Sequence, residues 1–324
     1  MRLLALLALA CLAAVPALAA IPDNTIKVGI INDQSGPLAD QSGRGSIIAA
    51  QLAADDFMHA NPGLKVEILY GDHQNKPDIG STIVRRWLDQ DGVAGVADSV
   101  NSAVSLAINQ VIHEKNRTFI ASNVGTSDLT GKACNDTEFQ WSLDTWSLGS
   151  AAAHAMTAQG AKSWYFISFD YALGAALERD TTEVVKTLGG RVLGSVRHPL
   201  GTTDFSSYLL QAQASGADVL GFGDTGQDLV NAVKQAGEFG ITPTQKIVGL
   251  FTQITDVKAM GLDVAHDLIV SESFYWDRDD ASRAFAKRYA AKAPGMEPTE
   301  NHAAVYSSVL AFLQAVKAAD TIEG

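Results

Sequence analysis

Hydrophobic and polar positions along this chain follow two periods in turn, and the turns recur in order. Short β-branched runs at 26–31, 66–70, 93–97 and 118–121 read as buried strands. Between them lie longer stretches at 42–58, 79–88 and 103–113. The first carries Ile47, Ile48, Leu52 and Phe57 at helical spacing, which places one apolar stripe on a helix. Strand and helix alternating in this way predict a parallel sheet with helices on both faces. The pattern then restarts with strands at 163–168, 191–196, 217–221 and 246–250, and helices at 172–188, 205–214 and 226–239. Extended segments at 139–144 and 269–274 stand outside both sets and are the expected crossings between them; helices at 281–291 and 302–319 follow. The expected fold is therefore α/β, two open parallel-sheet lobes joined by hinge strands. Lobe 1 would comprise 20–142 and 271–324, and lobe 2 would comprise 143–270. Ligands of open α/β sheets collect at the C-terminal ends of the strands, so the cleft between such lobes is where a site is sought.

The first residues change the picture by setting the compartment. Arg2 precedes an unbroken apolar run at 3–15, and Ala17-Leu18-Ala19 supplies small residues. This is the pattern of a secretory signal, too short to span a bilayer, with cleavage expected after Ala19, so that 1–19 is removed and the rest is periplasmic. Ala8-Leu9-Ala10-Cys11 loosely resembles a lipidation box, but it sits early and lacks Leu three residues before the Cys. Loss of Arg2 leaves 23 of the 24 basic residues against 36 acidic ones. Such a surface disfavours nucleic acid and anionic membrane, both of which need clustered Lys and Arg. No second apolar stretch of about 20 residues follows, so a soluble protein is expected. Cys134 is the one cysteine beyond the leader, which excludes an intrachain disulfide over 20–324, and a metal site would want more partners. No cofactor or metal is expected. The chain stops at Gly324 directly after a helical pattern, where a sheet would continue with another strand, so a further C-terminal portion is expected.

Several segments carry a resemblance. Ile26-Lys-Val-Gly-Ile-Ile-Asn-Asp-Gln-Ser-Gly-Pro-Leu38, Asn101-Ser102 at a helix start, and Ser122-Asn-Val-Gly-Thr-Ser-Asp-Leu-Thr-Gly131 are three of them. Asp170-Tyr-Ala-Leu-Gly174, His198-Pro-Leu-Gly-Thr-Thr-Asp-Phe-Ser-Ser207, Ala236-Gly-Glu-Phe-Gly-Ile241 and Ser273-Phe-Tyr-Trp276 continue the series. In this order and spacing they resemble the periplasmic leucine/isoleucine/valine-binding protein family, the substrate-binding components of branched-chain amino acid-type ABC transporters. The resemblance implies a type I periplasmic binding fold with three hinge strands, closing on a small-molecule ligand and presenting the closed form to an inner-membrane ABC permease. A monomer without catalytic residues is expected.

Each candidate site residue has an ordinary structural role beside the functional one. Asn101 and Ser102 are good helix N-cap types, and the same free N–H groups can bind a carboxylate, which the family places here. Ser122, Asn123, Gly125 and Thr126 form a polar turn that also ends a strand at the crevice. Tyr171 could simply pack, but its segment resembles the one that supplies a ligand-facing tyrosine. Asp224 and Asp228 could be surface or capping acids; in the family an acid here pairs the ligand ammonium, with Asp228 fitting that position better and Asp224 in reserve. Phe251, with Thr252, is expected to wall the cleft. Leu38 stands where amino-acid binders often carry an aromatic residue. Gly131-Lys-Ala-Cys134 and the 196–200 stretch resemble a branch that also binds aromatic carboxylic acids. Amino acid, amide and aromatic acid therefore all stay open as ligands.

Two other functions compete. A hydrolase would need a nucleophile elbow or a His-Glu-x-x-His helix, and Ser42-Gly-Arg-Gly-Ser46 and His113-Glu114 are neither. The seven His are scattered and suit solvated or core positions. A ligand sensor on the same fold, feeding a receptor or regulator, is not distinguished by fold.

Overall fold

The computed structural model describes residues 21–324, so the expected leader and its cleavage point lie outside the described residues. The two parallel sheets expected from the alternating pattern are present. In lobe 1, β1 (Thr25–Asn32) is flanked by β2 (Lys65–Asp72) and β3 (Gly95–Asp98), followed by β4 (Thr118–Ala121) and β5 (Glu138–Gln140). The order is β2-β1-β3-β4-β5, with every pair parallel. Helix α1 (Gly43–Ala60) covers one face, and α2 (Pro77–Arg86) with α3 (Ser102–Glu114) covers the other. Gly29 is where the second face comes closest: a Cβ there would lie 2.6 Å from the Trp87 ring, so the strand must carry glycine to seat that indole.

Lobe 2 begins with α4 (Thr145–Ala158), a helix absent from the sequence expectation. Its start is marked by a capping box in which Asp144 accepts from the Ser147 N–H at 2.8 Å. Its Ala-rich interior blurs the apolar stripe by which a helix is recognised. Then come β6 (Ser163–Phe169), α5 (Ala172–Thr187), β7 (Arg191–His198), α6 (Ser206–Ser215), β8 (Val219–Gly223), α7 (Gly226–Glu238) and β9 (Lys246–Gly249). This sheet runs β7-β6-β8-β9. Leu148, Met156, Leu173 and Leu177 fill one face, and Leu209, Leu229 and Val233 the other.

The segment 269–274 is not the extended strand expected there. Ile269 makes a single bridge to Val248, and the chain then runs irregularly, with the Ser273 N–H held by Glu300 at 2.8 Å. Two short helices, α8 (Ile254–Met260) and α9 (Leu262–Ala265), precede it, and α10 (Asp280–Lys292) and α11 (Glu300–Ala319) follow. Helix α11 packs beside α1, placing Val305, Val309 and Leu313 in the core of lobe 1.

Candidate functional site

In a parallel sheet the connections run outward in opposite directions from one point, and a crevice opens there at the C-terminal edge. Lobe 1 has its switch between β1 and β3, and lobe 2 between β6 and β8. The polar residues that end these four strands are the natural place to look.

On lobe 1 they form a fixed frame. Asp33, fully buried after β1, accepts from the Gly36 N–H at 2.8 Å, the Leu38 N–H at 3.0 Å and Asn75 Nδ2 at 2.7 Å. Asn75 Oδ1 accepts in turn from Asn101 Nδ2 at 3.2 Å. The Asn101 side chain caps α3 by accepting from the Ala103 and Val104 N–H groups at 3.0 and 3.2 Å. Its atoms are thus committed to structure. Ser102 beside it is fully buried, and its Oγ meets no protein partner. The turn that delivers this helix is strained, since Asp98 and Ser99 both hold positive φ (81° and 71°), a region that side chains disfavour. The buried Asp98 carboxyl accepts from Asn32 Nδ2 at 2.9 Å and from Asn123 Nδ2. Burial nonetheless pushes it up to about 6.

The loop after β4 divides its residues among different tasks. Ser122 Oγ pairs with Ser308 Oγ at 2.7 Å and Ile120 O at 3.2 Å, so it is turned toward α11. Asn123 is oriented by Asp98 and keeps a buried Oδ1 without a partner. Thr126 Oγ1 accepts from the Asp128 N–H at 3.3 Å. Gly125 faces lobe 2: a Cβ there would sit 2.5 Å from Leu173 and 3.6 Å from the Phe251 ring. Phe251 itself is buried in the core of lobe 2, and it reaches the seam through this glycine.

On lobe 2, Tyr171 precedes α5 and has a buried hydroxyl without a partner. Burial, together with Asp224, Asp228 and the lobe 1 residue Asp33, drives that hydroxyl far above the ordinary phenol range. The influence of Asp33 places Tyr171 where the lobes meet. Asp224 follows β8 and is fully buried; Oδ1 accepts from His198 Nε2 at 2.9 Å, whereas Oδ2 has no partner. Burial pushes this carboxyl up to about 6 against the pull of His198. Asp228, in the first turn of α7, spends Oδ2 on the Gly201 N–H at 2.7 Å and the Thr202 N–H at 3.2 Å. One oxygen of the acid that the resemblance favoured therefore holds a turn while its Oδ1 makes no hydrogen bond, and the reserve acid carries a fully buried oxygen without a partner. His198 is the residue that sequence reasoning passed over. Its signal was position alone, at the end of a strand beside the crevice.

The lobes touch around these groups. Gln41 Nε2 of lobe 1 donates to Thr225 Oγ1 of lobe 2 and lies 3.3 Å from both oxygens of Asp256. Gly226 has φ 66°, and a Cβ on it would come within 2.9 Å of the Pro37 carbonyl. Arg179 of α5 reaches the loop after β4, at 2.9 Å from Asp128 and 2.7 Å from Ser127 Oγ. Leu38 is wholly buried. Among the described residues no cluster of three or more His, Cys, Asp or Glu is arranged to hold a metal, and no helix is long and apolar enough to cross a membrane. Cys134 is exposed.

Residues 25–324 match the family model described as "Periplasmic binding protein". A periplasmic binding protein from Burkholderia mallei is 44% identical, with a TM-score of 0.89 over 92% of this chain and 80% of that one. A branched chain amino acid ABC transporter periplasmic ligand-binding protein from Burkholderia xenovorans LB400 is 38% identical, with a TM-score of 0.77 over 92% of this chain and 79% of its own. Among curated proteins, Leu/Ile/Val-binding protein homolog 6 of Brucella melitensis is 27% identical over 268 residues, 81% of this chain and 67% of that protein.

Proposed function

The chain belongs to the periplasmic binding protein family, and from that premise we propose that it is the periplasmic solute receptor of an ABC uptake transporter, closing its two lobes on a small carboxylate-bearing solute. The observation that carries this reading is the pairing of unsatisfied groups across the seam. Lobe 1 offers Ser102 Oγ at the positive end of α3, which suits a carboxylate. Lobe 2 offers Asp224 Oδ2 and the Tyr171 hydroxyl, which suit a donor at the other end of the same molecule. Buried polar atoms without partners are expensive, so a ligand that satisfies both ends holds the lobes together.

In this reading 20–142 and 271–324 move as one body and 143–270 as the other. Asn101, Asn123 and Thr126 shape the lobe 1 half of the seat, and Gly125 with Phe251 forms its apolar wall. Asp224 takes the ammonium role, because its Oδ2 is buried without a partner whereas Asp228 has one oxygen already held by Gly201 and Thr202. Ser122 serves the α11 side of the lobe. No residue is assigned a catalytic role. The protein acts in the periplasm as a monomer and hands its cargo to an inner-membrane permease.

A thermal-shift screen of the purified chain against aliphatic amino acids, their amides and aromatic carboxylic acids tests this. A ligand at a hundred times its Kd adds about 2.7 kcal/mol of stability, readily visible in a melt. Stabilisation by an aliphatic amino acid supports the two-ended seat as drawn. Stabilisation only by aromatic acids keeps the receptor role and removes the ammonium from Asp224. Stabilisation by none of them sinks the reading.

A further inference from the structure

His198 closes β7 with a side chain that is completely buried, and three aromatic rings enclose it: Phe169 at 5.3 Å, Phe205 at 4.8 Å and Tyr208 at 5.8 Å between centroids. An imidazole so enclosed has no water to exchange with, so each ring nitrogen must be satisfied by what the protein supplies. Nε2 lies 2.9 Å from Asp224 Oδ1 and Nδ1 lies 3.0 Å from the Pro199 carbonyl. A carbonyl oxygen and an ionised carboxylate can only accept, and a neutral imidazole has one N–H to give. Two acceptors at hydrogen-bond distance therefore call for two N–H groups, which is the imidazolium. A second carboxylate, Asp228, stands 4.0 Å from Nδ1 and favours the same charge. The other titratable groups near this cluster are the Tyr171 hydroxyl, the Tyr208 ring and, across the seam, Asp33. None of them brings a second cation.

We propose that His198 is a positioning residue of the ligand seat: as an imidazolium it holds one oxygen of Asp224 so that the other is left for the ligand, and it cancels one of the two carboxylate charges of lobe 2, so that this half of the seat takes a single ammonium. The inference rests on the reading of the cleft given above and names the charge its far end accepts. Its consequence is selectivity. With Asp224 and Asp228 both ionised and His198 charged, the lobe 2 half carries one net negative charge, which matches an α-amino acid and leaves a second cationic group on the ligand without a counter-charge. The proton on His198 is held against desolvation by Asp224 first and by the Pro199 carbonyl and Asp228 after it, which raises the ring above the ordinary histidine range.

Ring-nitrogen NMR on the full chain labelled with ¹⁵N-histidine decides the charge without any ligand. At about pH 7.5 both nitrogens of His198, assigned by their disappearance in His198→Gln, are expected at the shifts of a doubly protonated ring. In Asp224→Asn the same ring is expected to become neutral at that pH, a change that a packing role alone would not produce. A neutral tautomer in the wild-type chain overturns the inference even if ligands bind. Calorimetry with L-leucine and with benzoate then tests positioning: His198→Gln should bind leucine at least about tenfold more weakly while keeping a cooperative melt. Equal leucine affinity in the two proteins overturns the positioning role. If neither probe binds the wild-type chain, the cleft reading beneath it fails, whatever the ring's proton count.

Discussion

Asp224, just before the α7 cap, and Asp228, in its first turn, have the same chemistry, yet they are not equivalent once folded. One oxygen of Asp224 is bonded to His198 and the other is free, whereas Asp228 is bound to two backbone N–H groups. For a ligand with an ammonium at this end, Asp224→Ala should weaken binding by roughly 2–5 kcal/mol, the cost of stranding a buried cation. Asp228→Ala should cost less in affinity and more in stability, because it frees the Gly201–Thr202 turn. Calorimetry and melting curves on the two variants separate these effects, and a larger affinity loss in Asp228→Ala would reverse the assignment. Gly226 is the other residue where the backbone leaves no choice. Its positive φ and the Pro37 carbonyl facing it mean that Gly226→Ala strains both the α7 start and the approach of the lobes. The expected outcome is weaker ligand binding through impaired closure, visible in small-angle scattering as a larger radius of gyration at saturating ligand. An unchanged closed form would show that the loop at Pro37 yields.

At the scale of elements, the start of α3 is a structural cap and, in the proposed function, a ligand-facing end. Asn101 performs the cap through two accepted N–H bonds, and Ser102 carries the free hydroxyl. Replacing Asn101 by Ala should cost about 1 kcal/mol of stability, typical of a lost N-cap, as read from a denaturant melt. Ser102→Ala should leave the melt of the unliganded chain nearly unchanged and reduce affinity. A pronounced loss of unliganded stability in Ser102→Ala would mean that its hydroxyl has a structural partner. The elements themselves were largely legible. Strands 26–31 and 118–121 are recognisable as short, largely apolar runs of a buried parallel sheet, and 66–70 as a short run of strand-favouring residues at the sheet edge. Helix α4 escaped because alanine is equally at home on either side of a helix. The segment 269–274 was misjudged because its apolar residues anchor an irregular connection whose backbone partners are the Val248 strand and the side chain of Glu300.

Across the whole molecule, the seam collects buried acids. Asp256 is pushed up to about 6 by burial, against bonds from Gln253 and Gln41, and Glu272 is pushed up to about 8 by burial and by the neighbouring charges of Glu300 and Asp256. An acid whose folded pKa is raised penalises the folded state as it ionises. For Glu272 that penalty grows from the unfolded value of 4.5 to about 8. His198 acts in the same direction, since a raised histidine contributes stability that is lost as pH climbs through its folded value. In contrast, His73 and His302 are buried and lowered to about 4, which penalises the folded state as pH falls from 6.5 toward that value. The melting temperature should therefore fall between about pH 6.5 and 8.5, with Glu272→Gln flattening this alkaline limb. A melting temperature that rises steadily to pH 8.5 would contradict the burial of these groups.

By itself the sequence determined the α/β class, the two successive sheets and most of their elements, because the periods of hydrophobic burial are local properties of the chain. It also brought forward the segments that meet at the seam between the lobes, since the C-terminal ends of parallel strands are known once the strands are known. Only the tertiary structure decided what each polar side chain in those segments does. Whether Asn101 caps or binds, whether Ser122 turns to the cleft or to Ser308, and which oxygens of Asp224 and Asp228 are taken depend on partners far away in the chain. So does His198, whose two ring nitrogens acquire meaning only between Pro199 and Asp224. Hydrogen-bond satisfaction is settled by three-dimensional neighbours, and a one-dimensional pattern does not record them.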